Sequence, residues 1–498
     1  MDHCDHLRPV KHQYLETTII IGGSVEPCGV MEAVKVTPVF PITSWKGKRV
    51  TVFGFGRSGK AAADLLMDLG ALVTIVEEHT SQDFESASVE YGLRGARVFL
   101  GGDQVLEGLR DLDLLVVSPG IPKEHALVQE VDQRGIPIIG EIELAGWLLP
   151  APIIAVTGTN GKSTTVRLIG SILQQSGKRA FVGGNLGIPL CEAVPRPTQA
   201  SQAPAYEYIV AEVSSFQLET IHRFKPWTAV LLNVTPDHLD RHPTQEEYRA
   251  AKQRIFKNQT IQDWAVINAD DPVVKTMALS ARSGICGFSL IQKVEQGVYL
   301  EGGDIRARMH GKEFSIVSRD ALPMRGDHNV ANAMAAMSVG LLCGCPTEEM
   351  VRALQSSPTF EHALEVVREW QGITFVNDSK GTNVDATLKA LQSFEEPLVL
   401  ILGGKDKGGD FSQLADSIKR QVKGVVVIGE ATQKILQAVD QIKPVTLAAS
   451  LGDAVLQAVA LASRGDVVLF SPACASFDMF RNYHHRGLEF KRIVGELP

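Results

Sequence analysis

Three times along the chain a short apolar run leads at once into a glycine-rich turn. Arg49-Val-Thr-Val-Phe53 enters Gly54-Phe-Gly-Arg-Ser-Gly59, Ile153-Ile-Ala-Val156 enters Thr157-Gly-Thr-Asn-Gly-Lys-Ser-Thr164, and Leu398-Val-Leu-Ile-Leu402 enters Gly403-Gly-Lys-Asp-Lys-Gly-Gly409. Helix-compatible stretches separate these strands from others near 72–76, 112–117, 208–213, 228–233, 264–268, 424–428 and 466–470. Parallel strands need a crossover, usually a helix, so this alternation predicts α/β domains with parallel, doubly wound sheets. A length of 498 residues exceeds what one core usually serves. The expected division is an extension over 1–45, a Rossmann-like domain over 46–140, a central P-loop-type domain over 141–359 and a second Rossmann-like domain over 360–498. Gly302-Gly303 and His310-Gly311 punctuate β-rich runs over 285–318, predicting antiparallel hairpins added to the central sheet, and an Ala/Met-rich helix follows from Asn329.

Charge and cysteine usage narrow the function. Forty-nine Lys plus Arg against 57 Asp plus Glu leave a net charge of -8, which offers no basic field for nucleic acid. The seven cysteines form no CxxC pair and read as reduced, buried thiols. No apolar run approaches the roughly 18 residues of a membrane span, and the polar N-terminus is unlike a secretory signal, so a cytoplasmic protein is expected. His3, Cys4 and His6 could hold a metal, but a flexible tail is the plainer reading of residues 1–45.

The loop after Ile153–Val156 carries the strongest chemical signal. Backbone N–H groups of the Thr157–Thr164 turn and the helix N-terminus it opens can cradle phosphates, and Lys162 can neutralise them. Ser163 or Thr164 can offer a hydroxyl to Mg²⁺, although only two residues separate the glycines where a standard P-loop has four. The turn with Gly54, Gly56 and Gly59, followed by Glu77 at a strand end, fits three readings: a nicotinamide dinucleotide site, a UDP site or plain packing glycine. Glu212 closes one strand, and Asp237, His238, Asp240 and Arg241 follow another, at the sheet edge where α/β ligand sites gather; they read as a metal site or a solvated loop. Lys252, on a helix, would by itself be assigned to solvent. In the third segment, Asn377–Thr382, Gly403–Gly409 and Ser471–Ser476 each follow a strand, and three such loops suggest one site.

In this order the motifs GTNGKST (158–164), EVSSFQLE (212–219), NVTPDHLDRH (233–242), YRAAK (248–252) and GDHNVANAMAA (326–336) resemble the Mur ligase family over nearly all of 46–498. NDSKGTN (377–383), LGGKDKGGDF (402–411) and SPACASFDMF (471–480) resemble its D-glutamate-adding branch. The resemblance implies an ATP-dependent ligase of peptidoglycan precursor synthesis that joins D-glutamate to UDP-N-acetylmuramoyl-L-alanine through an acyl phosphate, acting as a monomer. It implies a UDP-substrate set of Gly54, Gly56, Arg57, Ser58, Gly59, Glu77, Gly120, Asn185 and Ser214, and an ATP set of residues 158–164 with Asn329, Asn332 and Asp378. Thr382, Lys407, Ser476 and Tyr483 would receive D-glutamate. Lys162, Glu212, His238 and Lys252 would be catalytic, with two Mg²⁺ ions held by Ser163, Glu212, His238 and a carbamylated Lys252. Ala363 stands where several relatives carry an arginine that assists ATP binding. Other expectations to be separated from this one are a folylpolyglutamate synthetase or different Mur enzyme, a dehydrogenase resting on the first glycine turn, and a non-catalytic nucleotide-binding module.

Overall fold

The computed structural model describes residues 44–102, 104–185, 187–196, 206–238, 241–356, 361–439 and 442–498, all within one compact unit. The expected extension, with His3, Cys4 and His6, and Asp240 of the second polar loop lie outside the described residues.

The first sheet contains β1 (Arg49–Phe53), β2 (Leu72–Glu77), β3 (Arg97–Leu100), β4 (Leu114–Val117) and β5 (Ile138–Gly140), all parallel, in the order β3-β2-β1-β4-β5. The order reverses between β1 and β4, so the Gly54 turn and the Ser118–Gly120 turn open a crevice at the carboxyl edge.

The second sheet holds β6 (Ile153–Thr157), β7 (Ala180–Gly184), β8 (Tyr208–Glu212), β9 (Thr228–Leu231), β10 (Trp264–Asn268), β11 (Gly284–Ser289), β12 (Gly297–Glu301), β13 (Asp304–Met309) and β14 (Lys312–Ser318), in the order β14-β13-β12-β11-β10-β9-β6-β8-β7. The antiparallel part is smaller than the sequence suggests, because β11 pairs parallel with both β10 and β12. Only β12, β13 and β14 form hairpins, turned by Gly302-Gly303 and His310-Gly311, all at positive φ.

The third sheet contains β15 (Glu365–Trp370), β16 (Ile373–Asn377), β17 (Leu398–Gly403), β18 (Val422–Ile428), β19 (Val445–Leu447) and β20 (Val467–Phe470), in the order β15-β16-β20-β17-β18-β19. All its pairs are parallel except the β15–β16 hairpin, whose Gln371-Gly372 turn puts two successive residues at positive φ.

How the sheets are joined differs. Ile153 and Ala155 of β6 face a core shared with Val50 and Val52 of the first sheet, while Ile154 and Val156 face the helices Lys162–Gln175 and Asp327–Leu342. The joint between the first two sheets is sealed by the helix Glu141–Leu148. Its fully buried Glu143 accepts hydrogen bonds from the backbone N–H groups of His222, Arg223 and Phe224 at 2.9, 2.6 and 2.8 Å, and from Trp147 Nε1 at 2.7 Å. The third sheet keeps separate apolar cores and meets the second through polar side chains.

Candidate active site

A cleft of about 1250 Å³ opens between the carboxyl edges of the second and third sheets. Typical small-molecule pockets span about 300–1,000 Å³, so this one has room for more than one small ligand.

Its floor is the loop after β6. The helix Lys162–Gln175 starts at Gly161, whose φ of 85° is left-handed and which lacks a side-chain cap, so the first N–H groups stay free for an anion. A Cβ at 161 would lie 2.3 Å from Asn332 Oδ1, which explains the glycine and shows Asn332 packed against the loop as well as lining the cleft. Lys162 Nζ folds back onto the carbonyls of Gly158 and Thr159 at 2.9 and 2.8 Å. Thr159, Asn160, Gly161, Lys162, Ser163, Thr164 and Asn329 all line the cleft, while Gly158 lies behind it.

Ser163 Oγ donates to Glu212 Oε2 at 2.6 Å, and Asn185 Nδ2 donates to Glu212 Oε1 at 3.0 Å. A hydroxyl beside a buried carboxylate at a phosphate loop is a fitting oxygen set for a hard divalent cation. His238 adopts a left-handed φ of 56°, which turns its ring into the cleft and against Phe216, 5.0 Å between ring centres. Burial pulls its imidazolium down to about 4, so the ring is neutral and able to ligate at neutral pH.

Lys252 corrects the solvent assignment that helix composition favours. It is 2% exposed, and its Nζ donates to the Gly158 carbonyl at 2.8 Å from beneath the phosphate loop. Burial, reinforced by Lys162, pushes its ammonium well below the usual lysine range. The signal was present in the sequence: Tyr248, Lys252 and Ile255 recur at helical spacing, and all three are buried.

Across the cleft stand the third-sheet loops. Thr382, Lys407, Ser476 and Tyr483 line it together, as the resemblance implies, and so does Asp378. Asp378 accepts from Ser471 Oγ at 2.7 Å, and burial pushes its carboxyl up to about 7. Lys407 Nζ reaches over to Asp237 Oδ1 at 2.6 Å, and Asn383 Nδ2 donates to Asp237 Oδ2 at 3.0 Å. Burial alone would raise the Asp237 carboxyl, but the Lys407 charge, His238 and these hydrogen bonds outweigh it and hold it near about 2. Asn160 Nδ2 likewise donates to Asp385 Oδ2 at 2.7 Å.

Of the first-sheet set only Gly120 borders this cleft. Gly54, Gly56, Arg57, Ser58, Gly59 and Glu77 cluster instead at their own crevice. There Glu77 accepts from the Phe55 N–H at 2.9 Å, and a Cβ at Gly59 would lie 1.9 Å from the Gly54 carbonyl. Arg57 Nη1 reaches the Gly187 carbonyl at 3.2 Å, and Arg241 Nη2 reaches Ile121 O at 3.1 Å, so cations bridge the two sheets there. Ser214 caps the helix Ser215–Glu219 and lies outside the cleft lining.

Sequence reasoning did not single out Lys380, Asn383 or Asp385. Lys380 lines the cleft inside the NDSKGTN motif, and burial pulls its ammonium down to about 8. A separate cluster of Glu361, His362 and His484 has metal-like spacing. The Asn377 amide, oriented by the Ser379 N–H, donates to His362 Nδ1 at 2.8 Å. The His362 proton is thereby directed from Nε2 to His484 Nδ1 at 2.9 Å, which makes this a hydrogen-bonded pair and not an open ligand set.

Comparisons with known proteins identify the family. Residues 48–140 match the Mur ligase MurD-like N-terminal domain, 156–340 the Mur ligase middle domain and 364–474 the Mur ligase glutamate ligase domain. The chain belongs to the Mur ligase family and is an amino-acid ligase. The UDP-N-acetylmuramoylalanine--D-glutamate ligase of Koribacter versatilis is 42% identical over 461 residues, covering 91% of this chain and 98% of its own. That of Pelotomaculum thermopropionicum is 42% identical over 449 residues, covering 90% and 97%. Within the family, the chain falls in the branch of these D-glutamate ligases. Solved structures share the fold: a pseudomurein peptide ligase type C from Methanothermus fervidus has a TM-score of 0.58 at 16% identity, covering 91% of this chain and all of its own. UDP-N-acetylmuramate-alanine ligase from Thermotoga maritima has a TM-score of 0.56 at 20% identity, covering 90% and 99%.

Proposed function

We propose that this chain forms an amide between the carboxylate of UDP-N-acetylmuramoyl-L-alanine and the amine of D-glutamate, converting ATP to ADP and phosphate. The observation that carries the reading is one cleft lined on one side by the Asn160–Thr164 loop and on the other by Thr382, Lys407, Ser476 and Tyr483. Relatives 42% identical over nearly the whole chain support the choice of substrates. In this reading residues 46–140 hold the UDP part, 141–359 hold ATP and 360–498 hold D-glutamate, in a cytoplasmic monomer.

The chemistry brings anions together, so cationic and N–H groups must offset their repulsion. The free N–H groups at Gly161 and the Lys162 ammonium bind the outer phosphates, and Asn329, Asn332 and Asp378 border the nucleoside. The substrate carboxylate oxygen attacks the γ-phosphorus and ADP leaves, giving an acyl phosphate. The amine of D-glutamate then attacks the activated carbonyl carbon and phosphate departs, while the proton lost by the amine passes to a base at the cleft. His238 and Asp237, which line the cleft, are the candidates for that base. Asp237 becomes the better base once Lys407 is drawn away to a carboxylate of the incoming amino acid.

Mg²⁺, when bound, supplies Lewis-acid polarisation and charge neutralisation at the phosphates. Ser163, Glu212 and His238 would hold it. Lys252 fits a carbamate because burial favours its neutral amine, the form that combines with carbon dioxide, and its Nζ lies under the same loop. Ala363 lines the cleft without a charge of its own, and Lys162 and Lys380 are among the cations that line it with Ala363.

The deciding assay is ADP release from UDP-N-acetylmuramoyl-L-alanine with D-glutamate, beside L-glutamate, meso-diaminopimelate and D-alanine. Release with D-glutamate alone is expected. No release, or equal release with a control amino acid, overturns the assignment.

A further inference from the structure

Behind the third-sheet loops lies a buried guanidinium that makes no direct ion pair among the described residues. Arg486 is fully buried on the helix Tyr483–Gly495 and takes part in no salt bridge among the described residues. Its contacts are neutral oxygens: Nε to Ser379 Oγ at 3.1 Å, Nη2 to the carbonyls of Ser379 and Cys474 at 2.8 and 3.0 Å, and Nη1 to the Ala475 carbonyl at 3.1 Å. Gly404 makes room for it, since a Cβ there would lie 3.1 Å from Nη1.

These contacts link three loops. Ser379 precedes Lys380 and Thr382, Cys474 and Ala475 precede Ser476, and Gly404 precedes Lys407, whose loop is tied to Ala475 by a Lys405–Ala475 backbone bridge. Tyr483 opens the helix three residues before Arg486, and its carbonyl accepts from Ser379 Oγ at 2.8 Å. The planar fork thus spans two strand-to-helix loops at once, a reach that a lysine's single ammonium lacks. Burying a charge without a direct ion pair is costly, and burial here pulls the guanidinium down to about 10, against the opposing pull of Cys474, Asp478 and Asp378, so it is still protonated at neutral pH.

We propose that Arg486 is a positioning residue for the incoming acidic amino acid: it locks the Ser379 and Ser476 loops in register around the subsite that receives the dicarboxylate. The inference rests on the ligase reading above. It predicts a selective effect, because among the described residues no contact joins Arg486 to the phosphate loop or the UDP crevice, and Asp378, beside Ser379, is held separately by Ser471 Oγ and the Leu364 N–H.

The test is steady-state kinetics of the full-length enzyme with each of its three substrates varied in turn. Arg486→Lys keeps the charge but loses the fork, and is expected to raise KM for D-glutamate at least fivefold. KM for ATP and for the UDP substrate should stay within twofold, with an unchanged thermal midpoint. A smaller rise for D-glutamate, or a parallel rise in all three KM values, overturns the proposal. If Arg486→Lys does not fold, Ser379→Ala removes one of the four acceptors and should raise KM for D-glutamate at least threefold with the other two unchanged; anything less overturns it. Wild-type turnover separates the two levels of inference. An inactive wild type removes the ligase reading, whereas an active wild type with a normal variant removes only the role of Arg486.

Discussion

The joint between the second and third sheets is polar, and Asp237 is its central anion. Replacing it with asparagine keeps the side-chain shape and an acceptor for Asn383 but removes the charge paired with Lys407. A carboxylate held at about 2 instead of 3.8, at about 1.4 kcal/mol per pH unit, represents about 2.5 kcal/mol of native stabilisation. Because the folded value is depressed, this contribution is fully present above 3.8 and is lost as pH falls through about 2; roughly half remains at pH 3. If the whole term acts on docking, Asp237→Asn lowers the docked-to-open ratio of the third domain about sixtyfold. Small-angle scattering without ligands should then show a larger radius of gyration for the variant at pH 7. Urea unfolding should show a deficit of about 2.5 kcal/mol against wild type at pH 7, shrinking towards pH 3. Superimposable scattering curves, or a deficit that does not change with pH, would refute the reasoning.

Two further outcomes are expected. Lys252→Ala should abolish turnover while leaving nucleotide binding measurable, and added short-chain carboxylic acids should restore part of the activity; unchanged activity in the variant excludes the carbamate role. Glu143→Ala strands three backbone N–H groups in a buried joint, so a loss of roughly 3 kcal/mol or more in chemical denaturation is expected, and a loss under about 1 kcal/mol would mean that water replaces the carboxylate.

The three-part α/β plan was legible because strands such as Arg49–Phe53 and Ile153–Thr157 are apolar runs broken by glycine. β3 and β5, of four and three residues, carry too little pattern to be read, and β15 was hidden by Arg368 and Glu369. The phosphate loop was readable because its N–H geometry is local. For Lys252 the helical spacing with Tyr248 and Ile255 marks a buried face, but its contact with the Gly158 carbonyl, 94 residues away, was not readable. Nor could spacing reveal the pairing of Asp237 with Lys407, because their meeting is fixed by the packing of one sheet edge against another. Arg486 carries no motif signal of its own, and only the folded chain shows the carbonyls gathered around it.

The side chain of Asn160 belongs to the phosphate loop and yet holds Asp385 and Asn383 of the opposite domain. Any nucleotide that reorients this loop must also shift the balance of the docked third domain. By thermodynamic reciprocity, an amino acid that shifts docking must then change nucleotide affinity by the same factor, and in the same direction, as the nucleotide changes the amino acid's own affinity, although the two ligands need never touch.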